Sequence, residues 1–447
     1  MSDSSDNTVA VSGMKIDFFT LRGLPKRDAE PERGPRARSA SSSCTPRAVS
    51  THTMAAFGQQ PAANPNPGDI EVANAATDGI SCVTWSPTAN FLAVASWDHQ
   101  IRVWDVQTSS GQAVPKAATS HDGPVLCAAW SSDGARVFTG SCDKTAKVWD
   151  LASSSHTQVA AHDAPIKNIF WVSEINMIVT SSWDKTIKYW DGRSGAAVAT
   201  LQLPERPYCM DIRYPLSALC EARPQTNPEP ASLPRRTRSL QPPPPAPPPP
   251  PPPPPTLPAA APPRAVVIAT ADRKIVVVNL NNPSQIFNQI ASPLKYQSRC
   301  IAAFPDQQGF CLGSIEGRVA VHHVNERDAQ KNFAFKCHRE NNDIYAVDDL
   351  KFHPTFGTFA TTGSDGTFNF WDKDSRQRLK AFNKESAPIP CGGFNREGNI
   401  YAYAVSYDWS KGSEHYNPRT NRLLLHPVPE AEIKSRNNTK KNFGARR

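Results

Sequence analysis

An arginine occupies an unusual position in the stretch GSIEGRVAVHHV, residues 313–324. Arg318 lies two residues after Glu316, where three similar stretches have Thr145, Thr186 and Thr367. A guanidinium group can bind a carboxylate through two parallel hydrogen bonds, which a lysine ammonium cannot reproduce. Arg318 is therefore a candidate contact for an acidic partner. The alternative is a simple ion pair with Glu316 or with an acid of a neighbouring unit.

The position of Arg318 is defined by a repeat. The sequences SWDHQIRVWD, SCDKTAKVWD and SWDKTIKYWD begin at residues 96, 141 and 182, and GSDGTFNFWD begins at residue 363. In each of them the tryptophan of a Trp-Asp pair follows an earlier aspartate by six residues. This spacing is typical of WD repeats, in which the aspartate caps a tight turn and the indole N–H finds a partner in a buried strand.

Acidic residues in the capping position define seven units, including degenerate ones. They are Asp98, Asp143, Asp184, Asp272, Glu316, Asp365 and Asp408. Consecutive positions are 41 to 49 residues apart except for one step of 88, which becomes 41 when residues 217–263 are left out. Each unit has the apolar patterning of four short strands. The sequence therefore predicts an all-β fold, a seven-bladed WD40 β-propeller.

The domain organisation follows from this repeat. We expect a disordered N-terminal extension at residues 1–68, a propeller at 69–429 and a basic tail at 430–447. Residues 217–263, which include thirteen prolines between 242 and 255, are expected to form a disordered insertion between the first and second strands of blade 4. The segments DIEV at 69–72 and RLLLHPV at 422–428 are expected to share the closure of the ring.

Composition excludes several classes of protein. The chain of 447 residues is 39% hydrophobic, contains no run of 18 apolar residues and shows no secretory leader, so no membrane insertion is predicted. Its ten cysteines have neither zinc-site nor disulfide-framework spacing. No P-loop, nucleophile elbow or metalloprotease motif is present. We expect a non-enzymatic binding scaffold without cofactor, metal or catalytic residues, in which His121 and His162 are structural.

The net charge of +8 is concentrated in the segments outside the repeats. Residues 411–447 hold nine lysines and arginines against three acidic residues, and the repeats themselves are close to neutral. The folded body is therefore not a basic cradle for nucleic acid as a whole. Any RNA contact has to be local.

Several stretches resemble one family. LQLPERPYC, SPLKYQSRC, GSIEGRVAVHH, NFAFKCHR, HPTFGTFATTGSDGTFNFWDKDSRQRLK and YDWSKG are similar to sequences of the Rae1/Gle2 family of nuclear-pore mRNA export factors. The resemblance covers residues 54–429 except the proline-rich insertion. It does not account for residues 1–53 or 217–263, which favours the interpretation that both are additions from the gene model. The related Bub3 family shares fewer of these motifs, because YDWSKG and FWDKDSRQRLK resemble Rae1.

The resemblance implies two binding sites and a location. An acidic GLEBS motif, in a nucleoporin of the Nup98 type, would bind the propeller face that carries the capping turns, at Glu316, Arg318, Lys336, His338 and Arg339. Single-stranded RNA would bind a neighbouring groove at Phe335, Lys336, Trp371, Lys373, Arg376 and Arg378, where cations lie beside aromatic rings. The protein would be found in the nucleus and at the nuclear pore of the envelope, and would shuttle to the cytoplasm.

Alternatives to these sites and functions remain open. Trp371 is also the structural tryptophan of its repeat, and the stretch DKDSRQR is equally consistent with a solvated turn. A Bub3-like adaptor would hold the GLEBS segment of a spindle-checkpoint kinase in the same place. A substrate receptor of a cullin-4 ubiquitin ligase would use the Trp-Asp-x-Arg pattern that ends at Arg193.

Overall fold

Seven four-stranded antiparallel sheets form the body of the protein. The structure is a computed structural model that describes residues 64–108, 111–192, 195–213 and 265–435. The innermost strand of each sheet contacts that of the next, and the seventh contacts the first. The ring is therefore closed, and the predicted all-β seven-bladed propeller is confirmed.

The strands of each blade are named a to d from the central channel outward. Blades 1 to 3 consist of Ile80–Trp85, Phe91–Ser96, Gln100–Val106 and Ala113–Ser120; Val125–Trp130, Arg136–Ser141, Thr145–Asp150 and His156–Ala161; and Ile166–Val172, Met177–Ser182, Thr186–Asp191 and Ala197–Gln202. Blades 4 and 5 consist of Pro207–Arg213, Ala265–Thr270, Lys274–Asn279 and Ile286–Ala291; and Ser298–Ala303, Gly309–Ser314, Arg318–His323 and Phe333–Lys336. Blades 6 and 7 consist of Val347–Phe352, Phe359–Gly363, Phe368–Asp372 and Gln377–Ala381; and Cys391–Phe394, Ile400–Val405, Arg422–Pro427 and Ile70–Val72. Outside the blades lie a two-stranded hairpin, Arg339–Glu340 with Asp343–Ile344, the 3-10 helices Glu326–Lys331, Ser413–His415 and Pro418–Thr420, and the α-helix Glu430–Ile433.

The hydrophobic core is divided into layers between neighbouring blades. Side chains alternate between the two faces of a strand, so each b and c strand supplies apolar groups to the blade on either side. Between blades 7 and 1, for example, Leu92 and Val94 pack with Ala402 and Leu425. Because every blade needs both neighbours, closure of the ring is a condition for burying the core.

Two segments that are far apart in sequence close the ring as predicted. Ile70–Val72 pairs with Arg422–Pro427, with Ile70 opposite Leu425, so the d strand of blade 7 comes from the N-terminal part of the chain. The location of the proline-rich insertion is also as expected: Arg213 pairs directly with Ala265, the last and first residues of the a and b strands of blade 4. Residues 1–53, the insertion at 217–263, Arg193 and residues 436–447 of the basic tail lie outside the described residues.

A buried hydrogen-bond network repeats in blades 2, 3 and 6. In blade 3, His162 Nδ1 lies 2.8 Å from Asp184 Oδ2, and His162 Nε2 lies 2.8 Å from Thr180 Oγ1. Trp190 Nε1 donates to the same Thr180 hydroxyl at 2.8 Å. In blade 2, His121 makes the matching contacts with Asp143 and Thr139. These bonds fasten the turn between strands b and c to the preceding blade.

Blade 1 lacks part of this network. Val94 stands at the position of Thr180, since each is two residues before the last serine of its b strand. Valine offers no acceptor, and the buried Nε1 of Trp104 has no hydrogen-bond partner in the part of the chain that the structure describes.

The folded region extends beyond the expected limits of 69 and 429. Asn66 is buried and its side-chain amide donates to Glu385 at 3.1 Å. At the other end, Ile433 is buried in the layer between blades 6 and 7, and the Ser435 hydroxyl donates to Asp372 at 2.6 Å. The propeller therefore includes residues that were assigned to the extension and to the basic tail.

Ring closure also includes a buried histidine between two carboxylates. His426 Nδ1 lies 2.5 Å from Asp69 Oδ1, and His426 Nε2 lies 3.1 Å from Glu432 Oε2. Burial works against the charged form, but the hydrogen bonds and charges of Asp69 and Glu432 raise the pKa of His426 overall. The His426 ring thus links the start of the d strand of blade 7 to the C-terminal helix, and both carboxylates favour its protonated form.

Replacing His426 with glutamine is expected to lower the free energy of unfolding by about 1–3 kcal/mol at pH 6, because charge-assisted hydrogen bonds are lost. A raised folded-state pKa gives stability that is fully present below the unfolded pKa of about 6.5 and is lost as pH rises through the folded pKa. The difference between the two proteins should therefore shrink on going from pH 6 to pH 9. Urea unfolding at several pH values measures it, and a constant difference would contradict a charged His426.

No helix in the described ranges is both long and apolar enough to cross a membrane. The cysteines in these ranges are free, and His, Cys, Asp and Glu residues there form no group of three or more suited to a metal ion.

Candidate functional site

Antiparallel strands put the connections of each blade alternately on two faces of the propeller. The b–c turns, which carry the capping acids, and the d–a connections between blades lie on one face, which we call the anchor face. The a–b and c–d connections, including the point at which the insertion leaves blade 4, lie on the opposite face.

Arg318 begins the c strand of blade 5 on the anchor face. In blades 2, 3 and 6 the residue at this position is a threonine whose hydroxyl donates to the capping aspartate. Thr186 Oγ1, for example, donates to Asp184 at 2.6 Å. Arg318 makes a weaker closure, with its Nε 3.5 Å from Glu316 Oε2. Its side chain remains 36% exposed, whereas that of Glu316 is only 14% exposed. The ion pair with Glu316 that we considered as an alternative is therefore present, but it engages one edge of the guanidinium group.

Two further cations lie beside Arg318. Lys336 is directly opposite it on the neighbouring d strand and is exposed, so both side chains leave the same face of the sheet. Arg339 donates from Nη2 to the carbonyl of Glu316 at 2.6 Å and from Nε to that of Gly317 at 3.3 Å. Arg339 thus braces the turn that presents Arg318. Arg318, Lys336 and Arg339 are thus three cations at the turn that carries Glu316, which suits an acidic ligand.

His338 does not belong to this surface, which corrects its assignment to the partner site. Its ring is buried, with Nδ1 2.9 Å from Asp365 Oδ1 and Nε2 2.8 Å from Thr361 Oγ1. Trp371 Nε1 donates to the same Thr361 hydroxyl at 2.9 Å. His338 is therefore the structural histidine of blade 6. Burial alone would raise the pKa of Asp365, but the hydrogen bond from His338 contributes to lowering it overall.

Four of the residues expected to contact RNA lie together on the outer rim between blades 5 and 6. Phe335 and Trp371 have ring centroids 4.6 Å apart, and the Arg378 guanidinium lies 5.9 Å from the Trp371 ring. Arg376 lies 4.6 Å from the ring of Phe333, which itself is 6.2 Å from that of Phe335. We call Arg376, Phe333, Phe335, Trp371 and Arg378 the aromatic strip. Phe333 was not predicted, although its spacing of two from Phe335 puts both rings on one side of the strand.

The other two residues expected to contact RNA are not part of the aromatic strip. The side chain of Lys373 is only 8% exposed, because its ammonium binds Asp306 at 3.2 Å and Asp374 at 2.9 Å. Burial opposes the charge on Lys373, but these partners raise its pKa overall. Lys336 leaves the opposite side of its strand from Phe335 and lies beside Arg318. The assignment of Lys373 and Lys336 to the RNA surface is corrected accordingly.

Blade 5 lacks the buried hydrogen-bond network that blades 2, 3 and 6 share. His322 occupies the tryptophan position, opposite Phe310, and Leu312 occupies the threonine position. Burial, followed by the neighbouring His323, lowers the pKa of His322, which favours its neutral form. Blade 5 nevertheless keeps its four strands, and its b–c turn has Arg318 at the position of the threonine.

Fold and site together define a WD-repeat β-propeller with a cationic cluster on its anchor face. The family model described as WD domain, G-beta repeat, matches residues 71–105, 115–150, 153–191 and 330–372. These ranges cover most of blades 1, 2, 3 and 6, in which the tryptophan of the repeat is present.

Full-length relatives are more specific. The chain is 46% identical over 389 residues to protein RAE1 of Arabidopsis thaliana, which covers 86% of this chain and 97% of that protein. It is 44% identical over 411 residues to an mRNA export factor of Xenopus tropicalis, with coverages of 88% and 98%. It is 41% identical over 376 residues to the poly(A)+ RNA export protein of Schizosaccharomyces pombe, with coverages of 82% and 93%. The chain belongs to the RAE1 family of mRNA export factors.

Proposed function

We propose that this protein is a non-enzymatic adaptor of mRNA export that binds the GLEBS motif of a Nup98-type nucleoporin through blade 5. The names of its relatives, mRNA export factor and poly(A)+ RNA export protein, support the role in export. The main support for a binding site on blade 5 is the pair of adjacent cations, Arg318 and Lys336, on the anchor face. Such a function would place the protein in the nucleus and at the nuclear pore, with shuttling to the cytoplasm.

The chemistry of the cluster fits an acidic peptide. Glu316 is the carboxylate beside Arg318, and within the described ranges Lys336 forms no ion pair. A peptide carboxylate can approach the outer edge of the Arg318 guanidinium while Glu316 stays at its Nε. Arg339 keeps the turn in place, because its guanidinium binds two carbonyls of that turn. The ligand would therefore meet a preformed site.

Changing Arg318 to lysine is expected to weaken binding of a GLEBS peptide about 10-fold, because lysine keeps the charge but not the bidentate geometry. Calorimetric titration of the purified protein with the peptide measures the effect. Changing Glu316 to glutamine removes the competing carboxylate and should leave affinity equal or higher. Equal affinity of wild type and Arg318→Lys would show that Arg318 supplies no directional bond.

The aromatic strip supports an additional contact with single-stranded RNA. Exposed cations next to rings can bind phosphates and stack on bases without sequence preference. The strip lies on the rim of the propeller, apart from the turn of Arg318, so peptide and RNA could be held at once. Arg376 and Arg378 are its two cations.

Changing both Arg376 and Arg378 to glutamate is expected to weaken binding of a single-stranded RNA at least 10-fold and to reduce its salt dependence, since two phosphate contacts are replaced by repulsion. Affinity for the GLEBS peptide should change less than 2-fold by the same electrostatic reasoning. Fluorescence anisotropy at several salt concentrations tests this prediction. An unchanged RNA titration would reject the strip as an RNA surface.

Co-purification distinguishes the remaining adaptor functions. Recovery of a Nup98-type nucleoporin supports the export role, whereas recovery of a checkpoint kinase alone would support a Bub3-like role. A cullin-4 receptor would lose its ligase adaptor on Arg193→Ala.

A further inference from the structure

Blade 7 carries an unusually long connection on the anchor face. Its b and c strands are joined by residues 406–421, whereas blades 1 to 5 use three residues at this place and blade 6 uses four. Long ordered connections of this kind are uncommon within compact domains and are often functional. We call residues 406–421 the blade 7 loop.

The blade 7 loop is held firmly against the body. Asp408 Oδ1 accepts from the backbone N–H of Ser410 at 3.1 Å and from its hydroxyl at 2.7 Å, and the Ser364 hydroxyl of blade 6 donates to Asp408 Oδ2. Trp409 has a φ of 61°, which is strained for a bulky side chain. Its ring is stacked on Tyr416 at 5.0 Å and lies 5.6 Å from Trp97, so packing maintains the strained turn.

A cavity of about 340 Å³ lies between this loop and blade 6. Its lining contains no carboxylate. The lining includes the hydroxyl-bearing residues Tyr345, Ser386 and Ser410, and Lys411 and His415 are exposed basic residues in the same lining. Within the described ranges neither Lys411 nor His415 forms an ion pair, in contrast to Lys384 nearby, which binds Glu340 at 2.9 Å.

The cavity adjoins the turn that presents Arg318. Tyr345 lines the cavity, and its backbone N–H donates to the carbonyl of His338 at 3.1 Å. A Cβ placed on Gly317 would lie 2.9 Å from the carbonyl oxygen of Tyr345, so backbone at these two positions is in close contact. A peptide that reaches Arg318 along the anchor face can continue past Tyr345 to the cavity.

We infer that the cavity between the blade 7 loop and blade 6 is a second acid-binding subsite, in which Lys411 receives a carboxylate side chain of the same acidic peptide. This inference rests on the proposed function, because it extends the peptide site from blade 5 to blade 7. The hydroxyl groups of Tyr345 and Ser386 can donate to the second carboxylate oxygen. Two separated carboxylate subsites would select a peptide by the spacing of its acids as well as by its charge.

Titration of the full chain with a GLEBS peptide tests the subsite. Lys411→Met is expected to weaken binding about 3- to 10-fold, as expected for a partly exposed charge pair. Lys331→Met is the matched control, because Lys331 is an exposed lysine on the opposite face that binds Asp328. The control should bind as wild type does.

Peptides in which each acid is changed in turn to its amide identify the occupant. For one acid, the change to its amide should not weaken binding further in Lys411→Met. The effect of the same change on affinity should be additive with that of Arg318→Ala. The subsite would be overturned if Lys411→Met bound the peptide as tightly as wild type. It would also be overturned if Lys411→Met lost affinity but this loss was not coupled to any single acid of the peptide. If Arg318→Ala weakens binding in that case, the proposed function still stands; if neither variant weakens binding, the proposed function fails as well.

Discussion

Changing Arg318 to glutamate is expected to reduce affinity for a GLEBS peptide about 100-fold or more. The change removes a forked donor and puts a second carboxylate beside Glu316, so that acids of the peptide meet repulsion where they met attraction. Like charges at an interface cost several kcal/mol, more than the loss of one hydrogen bond. Titration calorimetry at a fixed salt concentration measures the effect.

The matched control is Arg396→Glu, which changes the net charge equally. Arg396 lies on the opposite face, in the a–b connection of blade 7, where its Nη1 donates to the carbonyl of Thr88 at 3.2 Å. If this variant lost as much affinity as Arg318→Glu, the peptide would be sensing overall charge and not blade 5. Thermal unfolding of both variants should stay close to wild type, since neither side chain is in the core.

Changing Thr180 to valine is expected to lower the free energy of unfolding by about 2–4 kcal/mol. The two side chains have nearly the same volume, but valine leaves the buried His162 Nε2 and Trp190 Nε1 without their partner. A buried polar group that loses its hydrogen bond costs about 1–3 kcal/mol. Urea unfolding followed by tryptophan fluorescence and circular dichroism measures the change.

The reverse substitution in blade 1 provides the control. Val94→Thr introduces a hydroxyl at the equivalent position, next to the unpartnered Trp104 Nε1. It should be neutral or stabilising by up to about 1 kcal/mol, since one hydrogen bond is gained. If Thr180→Val were as harmless as Val94→Thr, the network would not contribute to stability.

The fold could be predicted because its signals are periodic. Capping acids at regular intervals defined the blades even where the tryptophan was lost, as in blade 5, and the single irregular step located the insertion between two paired strands. Closure by residues 70–72 followed from the need to cover the last edge. The limits of the folded region were less predictable, because Asn66 and Ile433 are held by contacts with parts of the chain that are distant in sequence.

The site was predicted less completely, for identifiable reasons. His338 was assigned to the partner surface from the resemblance. Its structural role was not recognised, because it is 27 residues before Asp365, whereas His121 and His162 are 22 residues before their aspartates. The hairpin at residues 339–344 lengthens the connection and hides the common register. Lys373 looked available in sequence, yet Asp306, 67 residues away, binds it. The cavity beside the blade 7 loop depends on contacts between blades 6 and 7 that no local pattern encodes.

The most direct test of the account is a double-mutant cycle between Arg318 of the protein and the acids of a GLEBS peptide. Arg318→Ala is combined with each acid-to-amide change, and affinities are measured for all pairs. We predict that for one acid the acid-to-amide change weakens binding at least about 5-fold less in Arg318→Ala than in the wild-type protein. This difference is a coupling of about 1 kcal/mol. Additive effects for every acid, or wild-type binding by Arg318→Ala, would contradict an acidic-peptide site on blade 5.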